Sequence, residues 1–292
     1  HFQGLTPVFC DIDPLTHNID PACVEALITP RTSGILAVHT WGRPCDVVAL
    51  DAIAQRHGLK ILYDAAHAFA CSSNGLMIGN YGSAEVFSFH ATKFLNTFEG
   101  GAIVTNDDEL ATRIRLMKNF GFSGYDNVVD VGTNGKMSEI SAAMGLTGLE
   151  SLEQFIDVNK RNHEQYSVEL GEIPGVSLTR YDDSELSNYQ YVVLEIDDEL
   201  AGIDRDRLVE VLWAENVMAR RYFYPGCHMM EPYRSLYSNA GDVLPQTERL
   251  VHRVLSLPTG TGVDANDIAG IASIIRVACA ESDHVAAHFI NA

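Results

Sequence analysis

Residues 34–64 read GILAVHTWGRPCDVVALDAIAQRHGLKILYD, and their pattern decides the fold class. Gly34 to His39 is a short aliphatic run of the kind that forms a buried strand. Cys45 to His57 is amphipathic at helical spacing, and Gly58 stands where a left-handed residue commonly ends a helix. Lys60 to Tyr63 is a second apolar strand that closes on Asp64. Strand, helix and strand at this spacing argue for a βαβ unit and a mostly parallel sheet with helices on both faces.

The reading extends outward on both sides. Thr6 to Ile12 is expected to form a short strand. Asp20-Pro21 has the form of an N-cap followed by proline at the first helical position, with a helix to about Ile28. Ala84 to Phe89 and Gly101 to Thr105 read as further strands, and Asp107 to Asn119 as a charged amphipathic helix. Residues 120–137, rich in Gly, Asn and Asp, read as a long loop, and Met137 to about Leu170 as one long helical stretch. Beyond it come strands at Val176 to Thr179 and Tyr189 to Ile196. A helix is expected over Asp204 to Asn216, and another over Ala265 to Ala280 with Asp264 as N-cap. This later part is smaller and more antiparallel in character. The expected architecture is therefore α/β: residues 1–170 form a large domain, residues 171–292 a smaller α+β domain, and the boundary falls near 165–175.

Composition excludes several function classes. The chain has 20 Lys and Arg against 39 Asp and Glu, a net charge of −19. Such a surface repels nucleic acid and anionic membranes. No apolar run reaches the length of a membrane helix, and the first residues lack the basic and apolar regions of a signal peptide. Cys10, Cys23, Cys45, Cys71, Cys227 and Cys279 are scattered, without a CxxC, and read as reduced thiols of a cytoplasmic protein. The 11 His include no HExxH or related pair, so no metal site is expected.

In sheets of this type ligands bind beyond the carboxyl ends of the strands. Asp64 and the Ser88-to-Lys93 segment both lie there. Lys93 sits in Phe87-Ser-Phe-His-Ala-Thr-Lys93, an apolar and aromatic setting that does not suit a solvated surface lysine. Desolvation lowers the pKa of a lysine amine and makes it nucleophilic. Asp64 ends a buried strand, where a charge needs a partner; the lesser alternative is that it caps the next helix. Ser88 and His67, each taken alone, read as a turn residue and a core histidine. Taken together these groups meet the demands of pyridoxal phosphate (PLP): an amine for the cofactor aldehyde, a carboxylate for the pyridine nitrogen, a phosphate donor and a ring neighbour. A dinucleotide-binding enzyme is disfavoured, because no GxGxxG follows a strand.

The runs Tyr63-Asp-Ala-Ala-His-Ala, Phe87-Ser-Phe-His-Ala-Thr-Lys, Glu99-Gly-Gly-Ala-Ile-Val-Thr-Asn-Asp and Gly132-Thr-Asn-Gly-Lys-Met-Ser-Glu resemble the DegT/DnrJ/EryC1/StrS family of PLP-dependent nucleotide-sugar aminotransferases, of fold type I. They occur in order along essentially the whole chain. The resemblance implies that Lys93 carries the cofactor, Asp64 holds its pyridine nitrogen, His67 lies near its ring oxygen and Ser88 binds its phosphate. Asn134 matches a residue that family members extend into a neighbouring subunit's site, which implies a homodimer with shared active sites. Tyr222-Phe-Tyr-Pro-Gly-Cys-His228 resembles a loop bordering the sugar pocket, and places Tyr224 and His228 there. The implied reaction is transamination of a keto nucleotide-sugar, on the pattern of dTDP-4-keto-6-deoxyglucose, with glutamate as amino donor. The alternatives are a sugar dehydratase of the same family, which typically has His where Lys93 stands, and a non-catalytic member. In the family a Gly-Thr or Gly-Ser phosphate turn and a ring-stacking aromatic precede the Thr6-Pro7-Val8-Phe9 strand; neither is found within these 292 residues.

Overall fold

β1 (Gly34–Val38) and β2 (Lys60–Asp64) pair in parallel, with Gly34 opposite Lys60 and Val38 opposite Asp64, in the computed structural model, which describes residues 1–285. Between them runs α1 (Val47–His57). The Asp46 side chain accepts from the Ala49 N–H at its start, and Gly58, at φ 64°, ends it in the left-handed region. β3 (Ala84–Ser88) adds to β2 in parallel. β4 (Gly101–Val104) adds to β3 antiparallel, because the connection between them holds no crossover helix that could return the chain to the starting edge. The strand order β1-β2-β3-β4 is the mostly parallel sheet expected from residues 34–64.

Side chains alternate across this sheet. Ile35, Ala37, Ile61 and Tyr63 are buried on one face. Leu36, Leu62 and Ile103 are exposed by 63%, 39% and 50%. The sheet thus buries one face of these strands rather than both.

Further along the chain, α2 (Asp108–Met117) is capped by Asp107, whose carboxylate accepts from the Glu109 and Leu110 N–H groups. Two expectations need correction here. Residues 120–137 are not all loop, since Phe122–Gly124 and Asn127–Val128 close a small antiparallel hairpin around Tyr125 and Asp126. The long helical stretch is two helices, α3 (Glu139–Glu150) and α4 (Leu152–Leu170). Ser151 leaves the helical conformation (φ −107°, ψ 9°), and its N–H turns to the Gly148 and Leu149 carbonyls.

The described residues form two compact units. One comprises residues 28–154 and 183–188 and contains the sheet above. The other comprises residues 1–27 and 155–182 and the described residues from 189 onward. Compactness thus groups the chain differently from a contiguous division at residue 170. In the second unit β5 (Val176–Leu178), β6 (Val192–Ile196) and β7 (Val254–Leu257) form an antiparallel sheet in the order β7-β6-β5. α5 (Arg205–Ala214) and α7 (Ala265–Ala280) supply Leu208, Leu212, Ile268 and Ile275 to a core shared with Leu194 and Leu255. Asp264 and Asp267 make the reciprocal capping box that starts α7. The expected strand at Thr6 to Ile12 does not form, apart from a single bridge between Ile12 and Ile19. The segment serves another purpose. The Asp11 carboxylate accepts from the Gln246 and Thr247 N–H groups and the Thr247 hydroxyl, at the start of α6 (Pro245–Val251).

Glu85 on β3 is completely buried and accepts from the Gly79 and Tyr81 N–H groups. Burial pushes its carboxyl up to about 7. Its ordinary value is near 4.3, so the folded state holds this proton more tightly than the unfolded chain does. Glu85 therefore contributes stability below about pH 4.5 that is lost as pH rises to about 7. Glu85→Gln is expected to flatten the thermal-stability profile across that window. Melting curves of both proteins from acid to neutral pH check this; parallel profiles would sink it.

Candidate active site

Because β1, β2 and β3 run in parallel, their carboxyl ends lie together, and the residues that follow them meet. A hollow of about 360 Å³ opens there, lined by Leu36, Leu62, Tyr63, Asp64, Val86 and Ser88 among others. Largely apolar walls carrying the Asp64 carboxylate and the Ser88 hydroxyl suit a flat, partly charged ligand.

Each sequence-predicted side chain is fixed by local geometry. One Asp64 oxygen accepts from the Ala66 N–H at 2.9 Å, so Asp64 organises a turn and starts no helix. The Asp64 carbonyl accepts from the His39 N–H at 3.0 Å, which ties this strand end to that of β1. The Ser88 Oγ accepts from the His90 N–H at 3.3 Å. Lys93 sits in the turn that follows. Its N–H donates to the His90 carbonyl at 2.9 Å, and its own carbonyl accepts from the Asn96 side chain.

The electrostatics link three of these groups. Burial lowers the Lys93 amine below the ordinary lysine range, and the Asp64 carboxylate partly offsets this. Burial also pushes His67 down to about 3, and the Lys93 ammonium adds to that effect. His67 is therefore a neutral imidazole at neutral pH. Its Nδ1 accepts from the Trp41 N–H at 3.2 Å. So the structure brings Asp64, His67 and Lys93 into one electrostatic neighbourhood, and Asp64 and Ser88 into one hollow. Asn134 lies in the same unit on an exposed loop. Its backbone bridges Asn119, and its side chain accepts from Lys136 at 2.5 Å.

Tyr224 and His228 belong to the other unit. The Tyr224 ring packs under the guanidinium groups of Arg205 and Arg221, at 5.1 and 5.5 Å. His228 is buried, paired with Glu248 and edge-on to Phe9. Arg205 was not a sequence candidate. It is 1% exposed, and its guanidinium donates to the Val251 and Val254 carbonyls and to Asp206. Two further residues around His67 also escaped the sequence reading. Trp41 holds the imidazole, and Asn188 donates to the His67 and Phe69 carbonyls at 2.8 and 2.9 Å. A bulky residue just past a strand end is a weak signal for Trp41, and nothing local marks Asn188. Among the described residues no cluster of His, Cys, Asp or Glu could hold a metal ion, and no helix is long and apolar enough to cross a membrane.

The DegT/DnrJ/EryC1/StrS aminotransferase family model matches residues 2–276. The chain belongs to this family. A dTDP-4-amino-4,6-dideoxy-D-glucose transaminase of Shigella dysenteriae is 40% identical over 276 residues, which is 94% of this chain and 74% of the relative. GDP-perosamine synthase of Caulobacter vibrioides is 36% identical, over 91% of this chain and 71% of the relative. Among solved structures, DesI, crystallised in the presence of its TDP-sugar product, aligns with a TM-score of 0.92 and 50% identity. That alignment covers 99% of this chain and 73% of DesI. The chain is an aminotransferase of the nucleotide-sugar type, on the PLP aminotransferase fold that the family resemblance implies.

Asp64 is the anion that holds the Lys93 amine up against desolvation. Asp64→Asn is therefore expected to lower the Lys93 pKa further. The pH dependence of ¹³C-methyl signals after reductive methylation of the lysines measures it; an unchanged or raised Lys93 midpoint would contradict the pairing.

Proposed function

We propose that this chain uses PLP to transfer an amino group from glutamate to a keto nucleotide-sugar, with Lys93 as the catalytic residue. The observation that carries this reading is the half-buried Lys93 amine within electrostatic reach of Asp64, whose carboxylate lines the hollow at the strand ends. The donor set fits the cofactor. A carboxylate (Asp64) and a hydroxyl (Ser88) line a cavity with apolar walls. The Lys93 amine lies within electrostatic reach of that carboxylate and of the neutral His67 imidazole, and the carboxylate has one oxygen bound to Ala66 and a second to offer.

When bound, PLP supplies a conjugated ring that takes up the electrons released as a C–H bond breaks beside the amine. The residues do the rest. The Lys93 amine would hold the cofactor through its aldehyde between turnovers, and its lowered pKa raises the share of neutral amine able to act as nucleophile. Once released, the same amine takes a proton from the donor's carbon, and it works in the reverse sense on the acceptor sugar. Asp64 would accept from the protonated pyridine nitrogen and hold that proton in place. Ser88 would donate its hydroxyl to the phosphate, and His67 would lie near the ring oxygen.

The sugar is assigned by class. One relative is named for a dTDP-linked amino sugar and another for a GDP-linked one. dTDP-4-keto-6-deoxyglucose is our first choice of acceptor, supported by the 40% relative and by DesI. Tyr224 and His228 are proposed to border the sugar, within the part of the chain beyond residue 170.

A homodimer with shared sites completes the reading. α3 buries none of its residues, although Ile140, Leu146 and Leu149 are 76%, 66% and 45% exposed. An apolar helix of this kind calls for a covering partner. A second copy there would put the loop bearing Asn134 beside the interface, where Asn134 could reach the partner's phosphate. The cysteines are free thiols, in keeping with a reducing, cytoplasmic setting.

Borohydride reduction of PLP-treated protein, followed by peptide mapping, is expected to place the cofactor on Lys93. Lys93→Ala should lose that label and reduce turnover by at least about 10²–10⁴-fold. A label on another lysine, or a Lys93→Ala protein with wild-type turnover of dTDP- and GDP-linked 4-keto sugars, refutes the assignment. For the dimer, Leu146→Glu is expected to halve the mass measured by light scattering.

A further inference from the structure

Trp41 belongs to none of the motifs above, yet it touches one of their residues twice. It lies just past the end of β1, is 2% exposed, and sits in the left-handed region at φ 63°, ψ 12°. Gly42 follows at φ 78°. A Cβ on Gly42 would come within 2.8 Å of the His67 carbonyl and 3.1 Å of the Asn188 side chain. This turn is therefore pressed against the segment that carries His67, and only glycine allows so close an approach.

The contacts with His67 are directional. A backbone N–H can only donate, so the Trp41 N–H fixes His67 Nδ1 as an acceptor. In a neutral imidazole the remaining proton must then be on Nε2. The Trp41 indole lies nearly parallel to the imidazole, at an interplanar angle of 21° and a centroid separation of 6.2 Å, which limits rotation of the ring. From the other side Asn188, itself fully buried, donates to the His67 carbonyl. His67 is thus gripped at its ring by Trp41 and at its backbone by Asn188.

We propose that Trp41 is a positioning residue, whose backbone and indole lock His67 as the neutral Nε2–H tautomer and so make it an obligate hydrogen-bond donor to whatever it meets through Nε2. Lys93, a cation within electrostatic reach of His67, opposes protonation of the imidazole. The role of this donor in the reaction rests on the PLP reading above, whereas the tautomer itself does not.

The test is nitrogen NMR of protein labelled at histidine, with His67→Gln used to identify the His67 signals. Without cofactor, His67 is expected to show a protonated Nε2, a bare Nδ1, and no titration between about pH 5 and 9. A proton on Nδ1, or a shift that moves across that range, overturns the proposal. This measurement needs no Trp41 variant, so it decides the matter even where a variant fails to fold. In Trp41→Leu the backbone N–H remains but the ring stack is lost, so the imidazole is free to rotate away from that donor and the His67 signals are expected to report mixed tautomers. PLP affinity should fall by about tenfold, the scale of one hydrogen bond, and Trp41→Phe should restore it. A Trp41→Leu protein of wild-type Tm with unchanged His67 signals and unchanged PLP affinity overturns the positioning role. If PLP labels no Lys93 while the nitrogen signals are as expected, the cofactor reading fails and the tautomer lock stands.

Discussion

A lysine amine held partly out of water, beside a carboxylate at the end of the neighbouring strand, is the constraint on which the parallel-sheet unit depends. Water would solvate an exposed Lys93 and leave it a spectator ammonium. Burial lowers its proton affinity, and Asp64 limits how far it falls. That balance exists only because β2 and β3 run in parallel and finish together, so that Asp64 and the chain leaving Ser88 converge. The helix between β1 and β2, its Asp46 cap and its Gly58 stop are what make the parallel pairing possible.

Much of this was legible in the chain itself. The aliphatic runs at 34–39, 60–64 and 84–89 gave the strands their places, because periodicity and length are local properties. Caps such as Asp107 and Asp264 were legible for the same reason. The sequence also pointed to Asp64, Ser88 and Lys93, since the first two end strands and the third lies five residues past one. Elements that depend on distant partners were not legible. Thr6 to Ile12 has the composition of a strand but joins no sheet, and its Asp11 caps a helix more than 230 residues away. The break at Ser151 lies within a stretch of good helical pattern. Val254–Leu257 was passed over because four residues after a charged helix carry little signal of their own.

The same distinction explains what was missed around the site. Tryptophan has no local preference for a left-handed conformation, so nothing nearby announces that Trp41 adopts one. Arg205 stands in a run of acidic and basic residues that reads as a solvated helix face. The fold instead turns its guanidinium inward to the carbonyls at the end of α6 and on β7, and beneath Tyr224. Its burial is tolerable because those carbonyls, Asp206 and an aromatic face replace the water it gives up.

The Asn188 contact also has a consequence for the order in which the protein is made. Asn188 lies 121 residues downstream of the His67 carbonyl that it holds. The six-residue return, 183–188, that brings it back follows a segment, 155–182, that packs in the other unit. A ribosome delivers Asp64, Ser88 and Lys93 well before it delivers this clasp. During synthesis the pocket therefore passes through a stage in which its walls exist but His67 is held from one side only. Its final geometry must wait for a strap that arrives after another body has begun to form, and a fragment ending before residue 188 would present the site's chemistry without its full rigidity.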